Sequence, residues 1–238
     1  MKSPSLFRKL QDAKLKRQDA KLTRRFDKLL NDIYIIDSKW SEVDIVALNE
    51  RVQRKVTKNP ILARIVTMDP RGRSLLSVAC TLEHKSKIEL FHPAIKSLIE
   101  ANPSALLRKD DRQRTITCEI ARHSSNYVLM PWIAKNCHWV LNEEFLNPPV
   151  FCLIDQYTNR GAITECSAAI IREFFEAYPI GLTQVNKYGY TPLHAIVMGP
   201  IECNVDLFKW MAVQDPSIML ETDSGGQPPL HRACWALT

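Results

Sequence analysis

The residues of this 238-residue chain best suited to catalysis or metal binding are its six histidines and seven cysteines. Cys137 and His138 are adjacent, and His231 stands three positions before Cys234, so either pair offers two ligands to a soft metal. A closed zinc site needs about four well-placed ligands, and neither pair has further partners at ligand spacing. The cysteines, at 80, 118, 137, 152, 166, 203 and 234, are odd in number and include no Cys-x-x-Cys. That argues against a secreted disulfide framework, a zinc ribbon and a dithiol redox motif. They read as reduced thiols serving as small buried hydrophobes, with Cys80 and Cys234 in one helical phase and facing the core. No Gly-x-x-x-x-Gly-Lys-Ser/Thr loop, Gly-x-Gly-x-x-Gly turn, His-Glu-x-x-His or Gly-x-Ser-x-Gly occurs. The expectation is a protein without a catalytic site, metal or cofactor.

Two of the histidines belong to a recurrence instead. The segment Asn186-Lys187-Tyr188-Gly189-Tyr190-Thr191-Pro192-Leu193-His194-Ala195 returns thirty-seven residues later, from Asp223 through Gly226, Pro229, Leu230 and His231 to Ala233 and Cys234. A weaker copy starts at Asp69, with Gly72 in the glycine position and Ser77 in place of His. A still weaker one starts at Asp110, lacking both Gly and His. Gly189 and Gly226 suit a tight turn at positive φ. Pro192 and Pro229 suit the first position of a helix, where no backbone donor is missed. Leu193 and Leu230 are then expected in the core, and Ala195 and Ala233 where helices approach closely.

Between these segments a second ruler appears. Pro103, Pro179 and Pro216 each precede a repeat opening (Asp110, Asn186, Asp223) by seven positions, and Asn136 precedes Glu143 by the same seven. Eight residues before each marker stand Ile95, Val128, Ile171 and Phe208, four before stand Ile99, Trp132, Phe175 and Ala212, and three after stand Leu106, Trp139, Leu182 and Met219. Such spacings place apolar side chains on one helix face. Openings at 69, 110, 143, 186 and 223 give steps of 41, 33, 43 and 37 residues, the variable part falling in loops such as 81–87 and 155–164. At the front, Trp40 to Val56 reads as one helix capped by Asp37 or Ser38, and Lys58-Asn59-Pro60 resembles the close of a second helix feeding Asp69. The spacing predicts an all-α fold of paired helices over 39–238.

These segments resemble the ankyrin-repeat family, by motif over 186–234, where Thr191-Pro192-Leu193-His194-Ala195 is the most specific string, and by phase over 40–185. The second unit departs from the family pattern at Pro131 and in its missing Gly and His. The resemblance implies a helical solenoid of about four repeats with partial terminal units, in which each unit hides its apolar face against the next. It implies that Thr191, His194 and His231 tie turn to helix and repeat to repeat by hydrogen bonds. It also implies a scaffold that binds a protein partner on a concave face of turn tips and first helices. The tips read Arg71 and Arg73, Arg112 and Arg114, Tyr188 and Tyr190, then Gln227. Arg and Tyr are enriched at the energetic centres of interfaces, which points to an acidic or mixed partner surface; the plain alternative is that exposed turns hold polar residues.

Charge is concentrated at the start. Residues 1–38 hold ten Lys or Arg against five Asp, so five of the six net positive charges lie there. A heptad duplication at 11–24 sets Leu15, Leu22 and Leu29 in line, joined by Phe26 and Ile33, and predicts a helix over about 6–34. Three readings of this leader stand: a solvated basic helix or partly disordered segment, a docking segment for acidic protein, nucleic acid or acidic lipid, and a transit peptide, against which its acids count. No membrane-length apolar run and no secretory signal occur, so the expectation is a monomeric intracellular protein, cytoplasmic or nuclear. The chain stops within or just past the first helix of its fifth unit. That leads to the expectation of a longer parent, such as an enzyme or membrane protein that the array regulates, or of a partner covering the open end.

Overall fold

The computed structural model describes residues 20–29, 31–33, 41–64, 74–80, 88–109, 114–122, 126–142, 148–158, 165–199 and 205–236. The openings at 69, 110 and 143 and the tip residues Arg71, Gly72, Arg73 and Arg112 lie outside them. The described residues contain no strand, only an isolated bridge between Lys109 and Thr115, and the fold is all-α. None of their helices is long and apolar enough to cross a membrane. The chain divides into two compact units, Met1–Ala105 and Leu106–Thr238.

The first unit contains α1 (described over residues 20–29 and 31–33), α2 (Glu42–Lys58), α3 (Leu75–Cys80) and α4 (His92–Ala101). The described part of the basic leader is a helix with a solvated basic face and one apolar face buried. Phe26, Leu29 and Ile33, three and four residues apart, are fully buried, and Asp32 pairs with Arg51 of α2 at 3.2 Å. Burying a large apolar side chain is worth about 1.5–3 kcal/mol, enough to hold this turn of helix against the unit. Helix α2 opens at Ser41, not at Asp37 or Ser38. The Ser41 hydroxyl accepts from the Asp44 N–H, and the Asp44 carboxylate accepts from the Ser41 N–H, a reciprocal capping box. Helix α4 packs on both α2 and α3.

The second unit runs through α5 (Ile116–Arg122), α6 (Met130–Cys137), α7 (Pro149–Thr158), α8 (Glu165–Ala177), α9 (Pro192–Val197), α10 (Val205–Gln214) and α11 (Pro229–Ala236). Contacts skip from helix to alternate helix: α5 packs on α7, α7 on α9 and α9 on α11, while α6 packs on α8. The short helices α3, α5, α7, α9 and α11 begin at Leu75, Ile116, Pro149, Pro192 and Pro229, each six residues past 69, 110, 143, 186 and 223.

The longer helices end alike. Helices α2, α4, α8 and α10 stop at Asn59, Asn102, Tyr178 and Asp215, each with φ between −141° and −153°. The next residue is a proline that opens a 3-10 turn at Pro60, Pro103, Pro179 or Pro216. Proline forces its predecessor out of the helical region and cannot continue the hydrogen-bond ladder, so the helix must end there. At two of these ends the closing residue also reaches the previous such turn. Asn102 Nδ2 donates to the Ala63 carbonyl at 3.2 Å, and the Tyr178 hydroxyl lies 3.3 Å from the Leu141 carbonyl.

The third marker is displaced from its sequence position. The turn after α6 spans His138–Leu141, so His138, not Asn136, stands where the others have proline. Counting from His138, the apolar set becomes Met130, Ala134 and Leu141, all buried. Val128 and Trp132 are half-buried, and Trp139 is 42% exposed. Asn136 has no imino ring to break the ladder; its side-chain amide donates back to the Trp132 carbonyl at 2.8 Å and the helix continues.

Candidate functional site

Of the described tip residues, Tyr188, Tyr190 and Gln227 gather around two five-residue turns, 186–190 and 223–227, built to one plan. In the first, the Asn186 side-chain oxygen accepts from the N–H groups of Tyr188 (2.9 Å) and Tyr190 (3.1 Å). In the second, Asp223 Oδ1 accepts from Gly225 (2.7 Å) and Gln227 (3.1 Å). The backbone closes each turn identically, Asn186 N to Tyr190 O and Asp223 N to Gln227 O, both at 3.0 Å. A short side chain with an acceptor two bonds past Cβ is what such a turn needs. The fourth residue must adopt a left-handed conformation, and Gly189 (φ 75°) and Gly226 (φ 72°) supply it. The turns lie side by side, the Ser224 N–H donating to the Tyr188 carbonyl at 3.1 Å.

Behind the first turn, Thr191 caps α9. The His194 N–H donates to Thr191 Oγ1, and the Thr191 N–H donates to His194 Nδ1 at 3.1 Å. The other ring nitrogen of His194 lies 2.9 Å from the Gln227 carbonyl. A carbonyl only accepts and an N–H only donates, so the partners require the tautomer with its proton on Nε2. The same cap recurs with other atoms. Ser74 N donates to Ser77 Oγ at 2.8 Å at the head of α3, and Cys118 N donates to Thr115 Oγ1 at 3.2 Å at the head of α5. His231 does not repeat the role of His194: its ring is exposed.

Outward from this scaffold stand Lys187 and Tyr188. Lys187 Nζ lies 4.8 Å from the Tyr188 ring centre, and Tyr188, 54% exposed, sits 5.8 Å from Tyr190. Tyr190 is stacked on His194 and covered by the Arg232 guanidinium at 5.6 Å. Arg232 in turn binds Asp223 Oδ2, and this contact, with the turn N–H donors, pushes the Asp223 carboxyl down to about 2. Gln227 contributes mainly backbone, its carbonyl serving both Asp223 and His194.

Among the expected binding residues, Tyr188, Tyr190 and Gln227 are therefore brought together. Arg114 is described but engaged, its Nε lying 3.0 Å from Glu119 Oε1. Two further expectations are corrected. Leu230 is 49% exposed where Leu193 is fully buried, because α9 is flanked by both α7 and α11 whereas α11 packs on α9. Cys234 is exposed on the same helix, unlike Cys80. The sequence reading missed Arg232 and Lys187. Residue order carries no signal for either, because the burial of Asp223 that calls for a nearby cation is set by packing.

Among the described residues no three of His, Cys, Asp and Glu are grouped to hold a metal. Cys137 is buried and His138 exposed, so that pair does not face a common point. The arrangement can offer a partner one ammonium, a phenol hydroxyl and aromatic faces on a rigid base. No protein-family model matches the chain and no curated protein matches it, so the use of this surface is argued from its own residues.

Proposed function

We propose that the chain is an ankyrin-type repeat array acting as a non-catalytic scaffold, which binds a protein partner through its turn tips and first helices. The observation that carries this reading is the pair of matched turns at 186–190 and 223–227, joined by the Ser224 to Tyr188 bond and presenting Lys187 and Tyr188 outward. The skipping contacts of α5, α7, α9 and α11 support it, since successive first helices side by side are how such units bury their apolar faces. So does the Thr191–His194 cap, the feature on which the resemblance rests. Rigid aromatic anchors with a neighbouring cation suit a mixed, partly acidic protein surface. The test is affinity capture from a cell extract with the full chain beside a Lys187→Ser, Tyr188→Ser double variant. Loss of one set of captured proteins in the variant, with unchanged helicity and melting, is expected; identical capture by both overturns the reading.

A second reading concerns α1, where Lys21, Arg24, Arg25 and Lys28 are all exposed opposite the buried Phe26, Leu29 and Ile33. With the apolar face already covered, attachment to an acidic lipid or nucleic acid would be electrostatic and would weaken steeply with salt. Binding to anionic vesicles or nucleic acid that is unaffected by replacing these four residues with Ser would remove it.

A further inference from the structure

The third residue of α3, α5 and α9 takes part in the cap at the head of its helix, and in α5 it is Cys118. The Cys118 sulfur takes hydrogen bonds from both the hydroxyl and the backbone of Thr115, as the His194 ring does from Thr191. The parallel extends outward. His194 reaches on to the following turn at Gln227. Cys118 reaches on to Cys152 of α7, the neighbouring first helix, and the two thiols are hydrogen-bonded to each other. Both side chains are buried, on helices that pack directly together.

We propose that Cys118 and Cys152 form a reversible, hydroperoxide-driven disulfide that clamps α5 to α7. Hydrogen bonds from Cys152 and Thr115 favour the Cys118 thiolate and lower its pKa, whereas donating to Cys118 and burial raise that of Cys152. The thiolate is the reactive form. In the first step the Cys118 thiolate attacks one peroxide oxygen, the O–O bond breaks, and hydroxide leaves and takes up the proton Cys118 released. Cys118 is now a sulfenic acid. In the second step the Cys152 sulfur attacks Cys118 Sγ; the sulfenic hydroxyl departs with the Cys152 proton as water. Two thiols lose two electrons and one hydroperoxide is reduced to water and, from hydrogen peroxide, a second water. Hydrogen-bonded thiols on helices that pack directly together are placed for the approach to about 2 Å that an S–S bond sets. The closed loop would constrain the unfolded chain between the two helices.

The test uses the full chain and hydrogen peroxide itself, followed by alkylation of remaining thiols and peptide mass mapping without reduction. The expected result is one linked peptide pair containing Cys118 and Cys152, lighter by two hydrogens and reversed by dithiothreitol. Exposed Cys234 serves as the internal control for dose. In Cys152→Ala, a sulfenic-acid trap such as dimedone should label Cys118 at least several-fold more than in the unmodified chain. Oxidation should raise the melting midpoint of the unmodified chain by about 5–10 °C, and of Cys152→Ala not at all. Recovery of Cys118 and Cys152 as free thiols at a peroxide dose that oxidises Cys234 overturns the proposal, as does linkage of Cys118 to another cysteine. The mapping of the unmodified chain decides the matter even if the variant fails to fold.

Discussion

The His194 ring joins two turns: one nitrogen accepts the Thr191 N–H at its own helix start, and the other lies 2.9 Å from the carbonyl of Gln227, thirty-three residues on. One side chain thus holds both a helix cap and the spacing between neighbouring units. Removing it as His194→Ala leaves a buried N–H and a carbonyl without their ring partner. The expected cost is about 2–4 kcal/mol, read as a lower urea midpoint at unchanged slope. The sequence-equivalent His231→Ala should stay within about 0.5 kcal/mol, because that ring is exposed.

The two turn glycines should separate in the same way. A Cβ at Gly189 would meet the Ser224 backbone nitrogen at 2.7 Å, whereas one at Gly226 would meet nothing within 4 Å. Both substitutions carry the strain of a left-handed residue, about 1–2 kcal/mol. Gly189→Ala must in addition displace Ser224 and break its bond to Tyr188, so its total should reach about 3 kcal/mol or more. Thermal melting of the two variants side by side measures the difference.

Asp223 sets an acid limit. Its carboxyl is held at about 2 in the folded chain by Arg232 and the turn donors, below its ordinary value of 3.8. A depressed folded value means the unfolded chain takes up protons first on acidification. The contribution of this group is therefore complete above about pH 4 and is lost as the pH falls from there to about 2. Urea midpoints of the native chain should drop across that window more steeply than those of Asp223→Asn, and parallel curves would contradict the assignment.

Leucines at one motif position should differ in cost. Leu193→Ala empties a fully buried site and should cost about 2–5 kcal/mol. Leu230→Ala, at a site 49% exposed, should cost under about 1 kcal/mol. Equal losses would mean that Leu230 is covered in solution, by a second copy of the chain or another protein, and sedimentation of the unmodified chain distinguishes those cases.

The paired-helix character was legible because apolar residues three and four apart can share a face only in a helix, and Ile95, Ile99, Ile171 and Phe175 are all buried on that spacing. The helix ends at Asn102, Tyr178 and Asp215 were legible from the prolines after them, since the imino ring acts on its immediate neighbour. The end of the second repeat, at α6, was not. Asn136 occupies the position of a marker but lacks the proline ring, and the break waits for Cys137 and His138.

Turn and cap chemistry at 186–194 could be read from residue order because its bonds, apart from those of His194 to Gln227 and of Tyr188 to Ser224, close within five residues, a range over which chain connectivity dictates geometry. Burial and pairing could not. Whether Leu230 is covered, which cation meets Asp223, whether Phe26 faces solvent and whether Cys118 meets Cys152 all depend on what stands opposite, nine to thirty-four positions away or on another helix altogether. Only the packing of helix on helix brings those atoms together, because the hydrophobic force that drives it is proportional to area and carries no direction of its own.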